Sequence, residues 1–95
     1  MIWTPSLAWR VEITLAAARQ IKRLGQPEAA RISKFLRTRI AALDDPRRFG
    51  KALRGSDLGE LWRYRVGDYR ILCELQDHVL TVLVIEVGHR REVYR

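Results

Sequence analysis

The sequence predicts an α+β fold: an N-terminal strand, an antiparallel helical hairpin, then a three-strand antiparallel meander forming a small sheet with helices on one face. Three observations carry this expectation. Apolar residues recur at helical spacing between about residues 15 and 43. They alternate at strand spacing in the second half of the chain. The helical segments come early and the strands late, an order that stacks helices on an antiparallel sheet. With 95 residues there is room for one domain, residues 1–95, and one modest core.

The first element is "AWRVEI" (8–13), where Trp9, Val11 and Ile13 alternate with Arg10 and Glu12. Thr14 is placed to cap a helix from Leu15 to Leu24, with Ala17, Ala18, Ile21 and Leu24 on one face and Gly25 at its end. A second helix begins at "QPEAAR". Pro27 suits its first turn and Glu28 its positive end. Ile32, Phe35, Leu36, Ile40 and Leu43 form its apolar stripe, and "DDP" (44–46) stops it. Residues 46–59 read as a loop. Three strands follow at about 60–66, 69–76 and 79–87, joined by "GD" (67, 68) and "DH" (77, 78). The last is almost continuously apolar, as expected of a strand covered on both faces.

The net charge is +7 and the sequence pI about 10.5, which favours a polyanionic partner: nucleic acid, a membrane surface or an acidic protein. The basic residues are arginine except for Lys22, Lys34 and Lys51. Arginine's planar fork suits phosphate oxygens, although genomic base composition accounts equally well for the helix-surface arginines. No apolar run has membrane-spanning length, and the N-terminus lacks the pattern of a signal peptide. Cys73 is the only cysteine, so no intramolecular disulfide forms and a reduced cytoplasm is the expected location. It is expected to be a buried thiol, with Trp9 and Trp62 in the core and His78 in a turn. Two histidines and one cysteine make no metal cluster.

The stretch "WRYRVGDYR" (62–70) carries the most chemistry. If Gly67-Asp68 is a two-residue turn, Arg65 pairs with Arg70, Tyr64 with Ile71 and Arg63 with Leu72. Trp62, Tyr64, Val66, Tyr69, Ile71 and Cys73 then face the helices, and Arg63, Arg65 and Arg70 cluster on the other face. A three-residue turn would break this register. Like charges directly opposite on a sheet cost up to about 1 kcal/mol relative to a neutral pair. Their clustering points to an anion site; the bland alternative is pairing with Glu60, Glu74 and Glu86. If Gln76 pairs with Val79, then Arg70 faces Ile85, and Leu83, Ile85 and Val87 share the arginine face. An apolar strip there is expected to be covered by the C-terminal segment, a bound partner chain, or both. Arg47, Arg48, Lys51 and Arg54 form a second basic stretch, an RNA-backbone contact or equally a solvated loop.

Together, "LWRYRVGDYRILCEL" and "VLVIEVGHRREVYR" strongly resemble the RelE/ParE toxin superfamily of type II toxin–antitoxin systems, in its RelE-like branch. The resemblance runs from about Trp9 to Arg95, leaving residues 1–7 as an N-terminal extension. It implies a metal-independent, cofactor-free endoribonuclease, an mRNA interferase acting on the ribosome. The ribose 2′-hydroxyl attacks the adjacent phosphate and leaves a 2′,3′-cyclic phosphate and a 5′-hydroxyl. Translation inhibition and growth arrest follow. By similarity, Arg63 and Arg65 stand where the best-known member has catalytic lysines. Arg70 and Arg90 match catalytic arginines, and Tyr94 a C-terminal tyrosine. The match needs a one-residue gap at the first turn and a two-residue gap before Tyr94. Arginine does not act as a general base, so that role falls to Tyr94, to His89, more weakly to Glu92, or to no residue. Arg91 joins Arg47, Arg48, Lys51 and Arg54 as an expected RNA contact. The implied partners are mRNA and the ribosome, a RelB-like or other small antitoxin, and operator DNA through the antitoxin complex only, with no membrane. Two alternatives share the fold: a non-enzymatic ParE-like inhibitor of DNA gyrase, and a degenerate toxin acting only in an antitoxin-bound repressor.

Overall fold

A computed structural model describes residues 9–40, 45–53 and 60–89. Strand β1 (Arg10–Ile13) leads into helix α1 (Leu15–Arg23) and helix α2 (Gln26–Phe35). A π-helical turn (Leu36–Ile40) continues α2, and a 3-10 turn (Pro46–Arg48) precedes the short strand β2 (Lys51–Ala52). Then come β3 (Glu60–Val66), β4 (Tyr69–Gln76), a 3-10 turn (Asp77–Val79) and β5 (Thr81–His89). The five strands form one sheet in the order β1-β5-β4-β3-β2. β1 runs parallel to β5 and the other pairs are antiparallel.

The expected α+β architecture stands, and its local causes are visible. Thr14 Oγ1 accepts from the Ala17 amide at 3.1 Å and starts α1. Gly25, at φ 90°, breaks the chain between the helices, and Pro27 sits in the first turn of α2. Ile32, Leu36 and Ile40 are buried from one helical face. They meet Tyr64, Ile71, Cys73, Leu75, Val82, Val84 and Val87 from the sheet. β1 pairs with β5 only as far as Val84. Beyond it, Gln20 of α1 takes over, accepting from the Val87 amide at 2.7 Å. Burial of the Cys73 thiol and the Tyr64 hydroxyl pushes both groups' pKa up, as expected of core members.

Four expectations are corrected. The second helix does not stay α-helical past Phe35: Thr38 Oγ1 donates to the Lys34 carbonyl at 2.7 Å, the acceptor an α-helix would offer the Thr38 amide, and the helix widens there. Residues 46–59 are not all loop, because Lys51 and Ala52 pair with Arg63 and Trp62. "DH" is not a two-residue turn. The link spans Asp77 to Leu80, closes with Leu80 left-handed at φ 47°, and pairs Gln76 with Thr81 instead of Val79. Finally, β5 carries a bulge. Leu72 opposes Glu86 while Cys73 opposes Val84, leaving Ile85 as the extra residue. Leu83 stays on the arginine face, but Val87 turns into the core and Gly88, not Ile85, lies opposite Arg70. Leu83 and Ile85 are half-buried, so β5 is not fully covered on both faces among the described residues. The C-terminal segment expected over this strip lies outside them.

Arg47 ties the loop before β2 to the far side of the sheet. Its guanidinium donates to both carboxylate oxygens of Asp77, at 3.1 and 2.8 Å. It also stacks near Trp9 and Trp62, 5.9 and 6.0 Å from the ring centres. The Arg47 hydrogen bonds hold the Asp77 carboxyl below its usual pKa. A depressed folded-state pKa stabilises above the ordinary carboxylate pKa and is lost as the pH falls through the folded one. Asp77→Asn is therefore expected to lower the melting temperature near pH 7, with wild type and variant converging as the pH falls below the folded-state pKa of Asp77. Thermal melts across that range check it; a gap independent of pH would mean that the carboxylate charge contributes nothing.

Candidate nucleic-acid interface

The hairpin turn fixes the site. Gly67 has φ 59° and Asp68 is not left-handed, the pattern of a type II′ turn with glycine first. Val66 thus pairs with Tyr69, Arg65 with Arg70, Tyr64 with Ile71 and Arg63 with Leu72, the register expected from the sequence. Tyr64 and Ile71 are fully buried on the helix side. Arg63, Arg65 and Arg70 consequently share the opposite face.

A fourth cation joins them through β2. Lys51 lies directly opposite Arg63, so the face carries Lys51, Arg63, Arg65 and Arg70 across three adjacent strands. Arg65 is exposed and its Nε donates to the Gly67 carbonyl at 3.3 Å. Arg63 and Arg70 are half-buried, and Nη1 of Arg70 is shielded from solvent. A cleft of about 280 Å³ is lined by these four cations together with Tyr64. Phe35, Phe49 and Gly50 complete it. Gly50 lets the loop approach so closely: at φ 79°, a Cβ there would collide with the Arg63 carbonyl. The Trp62 indole donates to the Phe49 carbonyl at 2.6 Å and pins the same loop. Glu74 and Glu86 stand on the arginine face too, one strand pair further on, and Glu74 accepts from Gln76 at 2.7 Å.

Such a cluster concentrates positive potential beside a concave, partly apolar wall, suited to a phosphodiester and its flanking bases. Among the described residues no group of three or more histidine, cysteine, aspartate or glutamate side chains could hold a metal ion. No helix among them is long and apolar enough to cross a membrane.

The other expected site residues fare differently. Arg47 is not at this site: it faces the core side, held by Asp77, Trp9 and Trp62. Arg48 is exposed on the 3-10 turn. His89 pairs with Tyr69, and its ring packs edge-on against the Tyr69 ring at 6.1 Å, on the helix side of the sheet. Its register therefore separates it from the arginine face. Arg54, Arg90, Arg91 and Tyr94 lie outside the described residues. Sequence reasoning missed Phe35, Phe49 and Gly50, whose place in the cleft depends on the pairing of β2.

The profile of the ParE toxins of type II toxin–antitoxin systems matches residues 11–94. The chain belongs to the RelE/ParE toxin family. Toxin RelE of Mycobacterium tuberculosis is 37% identical over 87 residues, covering 92% of this chain and 87% of that protein. Toxin RelG of the same organism is 30% identical over 89 residues, covering 94% and 99%. Among solved structures, the M. tuberculosis toxin–antitoxin complex RelBE2 matches with a TM-score of 0.75 at 30% identity, covering 87% of this chain and 99% of that one. The archaeal RelE–RelB complex from Pyrococcus horikoshii shares the fold, at a TM-score of 0.68 and 22% identity, covering 90% and 99%.

Because Arg65 and Arg70 face each other, Arg65→Gln is expected to raise stability by up to about 1 kcal/mol at low salt. The gain should shrink as salt screens the pair. Urea unfolding at low and high ionic strength checks this; a loss of stability at both would show that the two guanidiniums do not repel.

Proposed function

We propose that this toxin is an endoribonuclease that cleaves mRNA, on the ribosome, by attack of a ribose 2′-hydroxyl on the adjacent phosphorus. A bond forms between the 2′-oxygen and phosphorus, and the bond to the 5′-oxygen breaks. The products are a 2′,3′-cyclic phosphate and a 5′-hydroxyl. The observation that carries this reading is the convergence of Lys51, Arg63, Arg65 and Arg70 on one face beside the cleft. Negative charge grows on the non-bridging oxygens as the 2′-oxygen adds. Guanidiniums already in place stabilise it without reorganisation, which is where most of such a rate enhancement arises.

Arginine does not supply the base. His89 points to the wrong side for it by register. Tyr94 is the remaining tyrosine of the family motif and is assigned either proton transfer or stacking on a base. Arg90 and Arg91, which follow His89 in the sequence, are assigned to the catalytic set and to RNA contact respectively. The cognate partner is a RelB-like antitoxin. Its acidic, amphipathic segment covers the arginine face and the half-buried Leu83 and Ile85 beside it, and operator DNA is bound only by that complex.

Arg70→Ala is expected to slow cleavage by about 10² to 10³. Primer extension on a translated mRNA after brief induction checks it. New 5′ ends made by wild type and lost in Arg70→Ala support the reading, and their retention in Tyr94→Phe would leave tyrosine a stacking role. A second reading rests on the ParE description of the matching family: inhibition of DNA gyrase without RNA cleavage. Growth arrest with no new ends, together with loss of supercoiling activity, would favour it.

A further inference from the structure

A second cleft, of about 240 Å³, lies on the helical side and is lined by Arg31, Lys34, Phe35, Thr38, Arg39 and Val66. Its three cations are exposed. Glu28 contacts Arg31 at 3.4 Å, one turn away on the same helix. The wider surface has the same sign. Residues 15–40 hold seven arginines and lysines against one acidic residue, a net +6 of the chain's +7. Most of the net charge therefore sits on the helices, away from the strand arginines.

The two clefts are joined. Phe35 lines both. The Arg39 guanidinium lies 5.8 Å from the centre of the Phe49 ring, and Phe49, 37% exposed, belongs to the strand cleft. At the hairpin tip the Arg31 guanidinium closes over Gly67, with Nη2 2.8 Å from where a Cβ would stand. An exposed aromatic thus sits between two basic clefts, an arrangement that holds single-stranded nucleic acid by stacking bases between phosphate contacts.

We infer that the helical cleft of Arg31, Lys34 and Arg39 is a second RNA subsite, binding phosphates that flank the nucleotides at the strand arginines, with Phe49 stacking a base between them. This rests on the proposed reading of the strand face as an RNA site. RNA is favoured over a protein partner because the described part of the helical surface exposes no large apolar residue except Leu15, at the start of α1. A protein interface needs an apolar centre, whereas a phosphate backbone needs only cations.

The test is anisotropy binding of uncleavable 2′-deoxy-substituted RNAs of about 3 and about 12 nucleotides. Arg31→Gln/Lys34→Gln/Arg39→Gln changes exposed side chains only; a thermal melt confirms that it folds. The triple variant is expected to bind the longer RNA no more tightly than the shorter one. The slope of log affinity against log salt should fall by about 2, from three lost phosphate contacts at about 0.7 each. Phe49→Ala should weaken the longer RNA severalfold. Wild-type affinity of the triple variant for the longer RNA would overturn the inference. So would an equal loss toward poly-glutamate, which would assign the surface to acidic protein. If wild type binds only the longer RNA and Arg63→Gln/Arg65→Gln/Arg70→Gln changes nothing, the strand-face reading fails, and the helical cleft then binds RNA by itself and not as a flanking subsite.

Discussion

The register of the β3–β4 hairpin decides which side of the sheet Arg63, Arg65 and Arg70 face. Side chains on a strand alternate, so a slip of one residue would bury the arginines and expose Tyr64 and Ile71. Two things prevent that slip. Gly67 supplies the positive φ that a two-residue turn requires. Tyr64, wholly buried, donates to the Pro46 carbonyl at 2.7 Å and packs edge-on against Phe35, so the helix-facing side has a core of its own to keep. The repulsion between Arg65 and Arg70 is small beside the cost of exposing that core. A like-charged pair persists on the outer face because the inner face fixes the register.

This division explains what the sequence made legible. The arginine cluster was readable because the turn and the alternation are local: Gly67-Asp68 and the nine residues around it contain the whole argument. The register of β5 was not, because "VLVIEV" is apolar at both parities and nothing in it marks Ile85 as the extra residue of a bulge. The bulge moves Val87 into the core and sets Gly88 beside Arg70, so the strip beside the arginines is narrower than the pattern implied. β2 escaped for a different reason. Two residues show no periodicity, and their pairing depends on Gly50 and on the Trp62 indole reaching the Phe49 carbonyl. Lys51 was therefore legible as basic but not as a neighbour of Arg63.

Charge alone did not separate the arginine that braces the fold from those that line the strand cleft. Arg47 looks like its neighbour Arg48 in sequence, yet it meets Asp77, thirty positions away, and two tryptophans, Trp9 and Trp62, far from it in the chain. Such partners come together only in the folded chain. His89 shows the same limit: beside Gly88 at a strand end it resembles a proton-transfer group, but one step of alternation puts it against Tyr69. Arg63, Arg65 and Arg70 remain together on the open face, permanently charged groups suited to stabilising an anion and not to taking a proton.

A face that keeps like charges together against their repulsion is suited to a phosphate-bearing ligand. The most direct measurement is the melting temperature of wild type during titration with an uncleavable RNA. A ligand that binds the folded chain alone raises stability by RT ln(1 + [L]/Kd). The melting temperature is expected to rise with RNA concentration, and Arg63→Gln/Arg65→Gln/Arg70→Gln to reduce that rise greatly. An equal rise in that variant, or no rise in wild type at RNA concentrations far above those used by other single-strand binders, would contradict it.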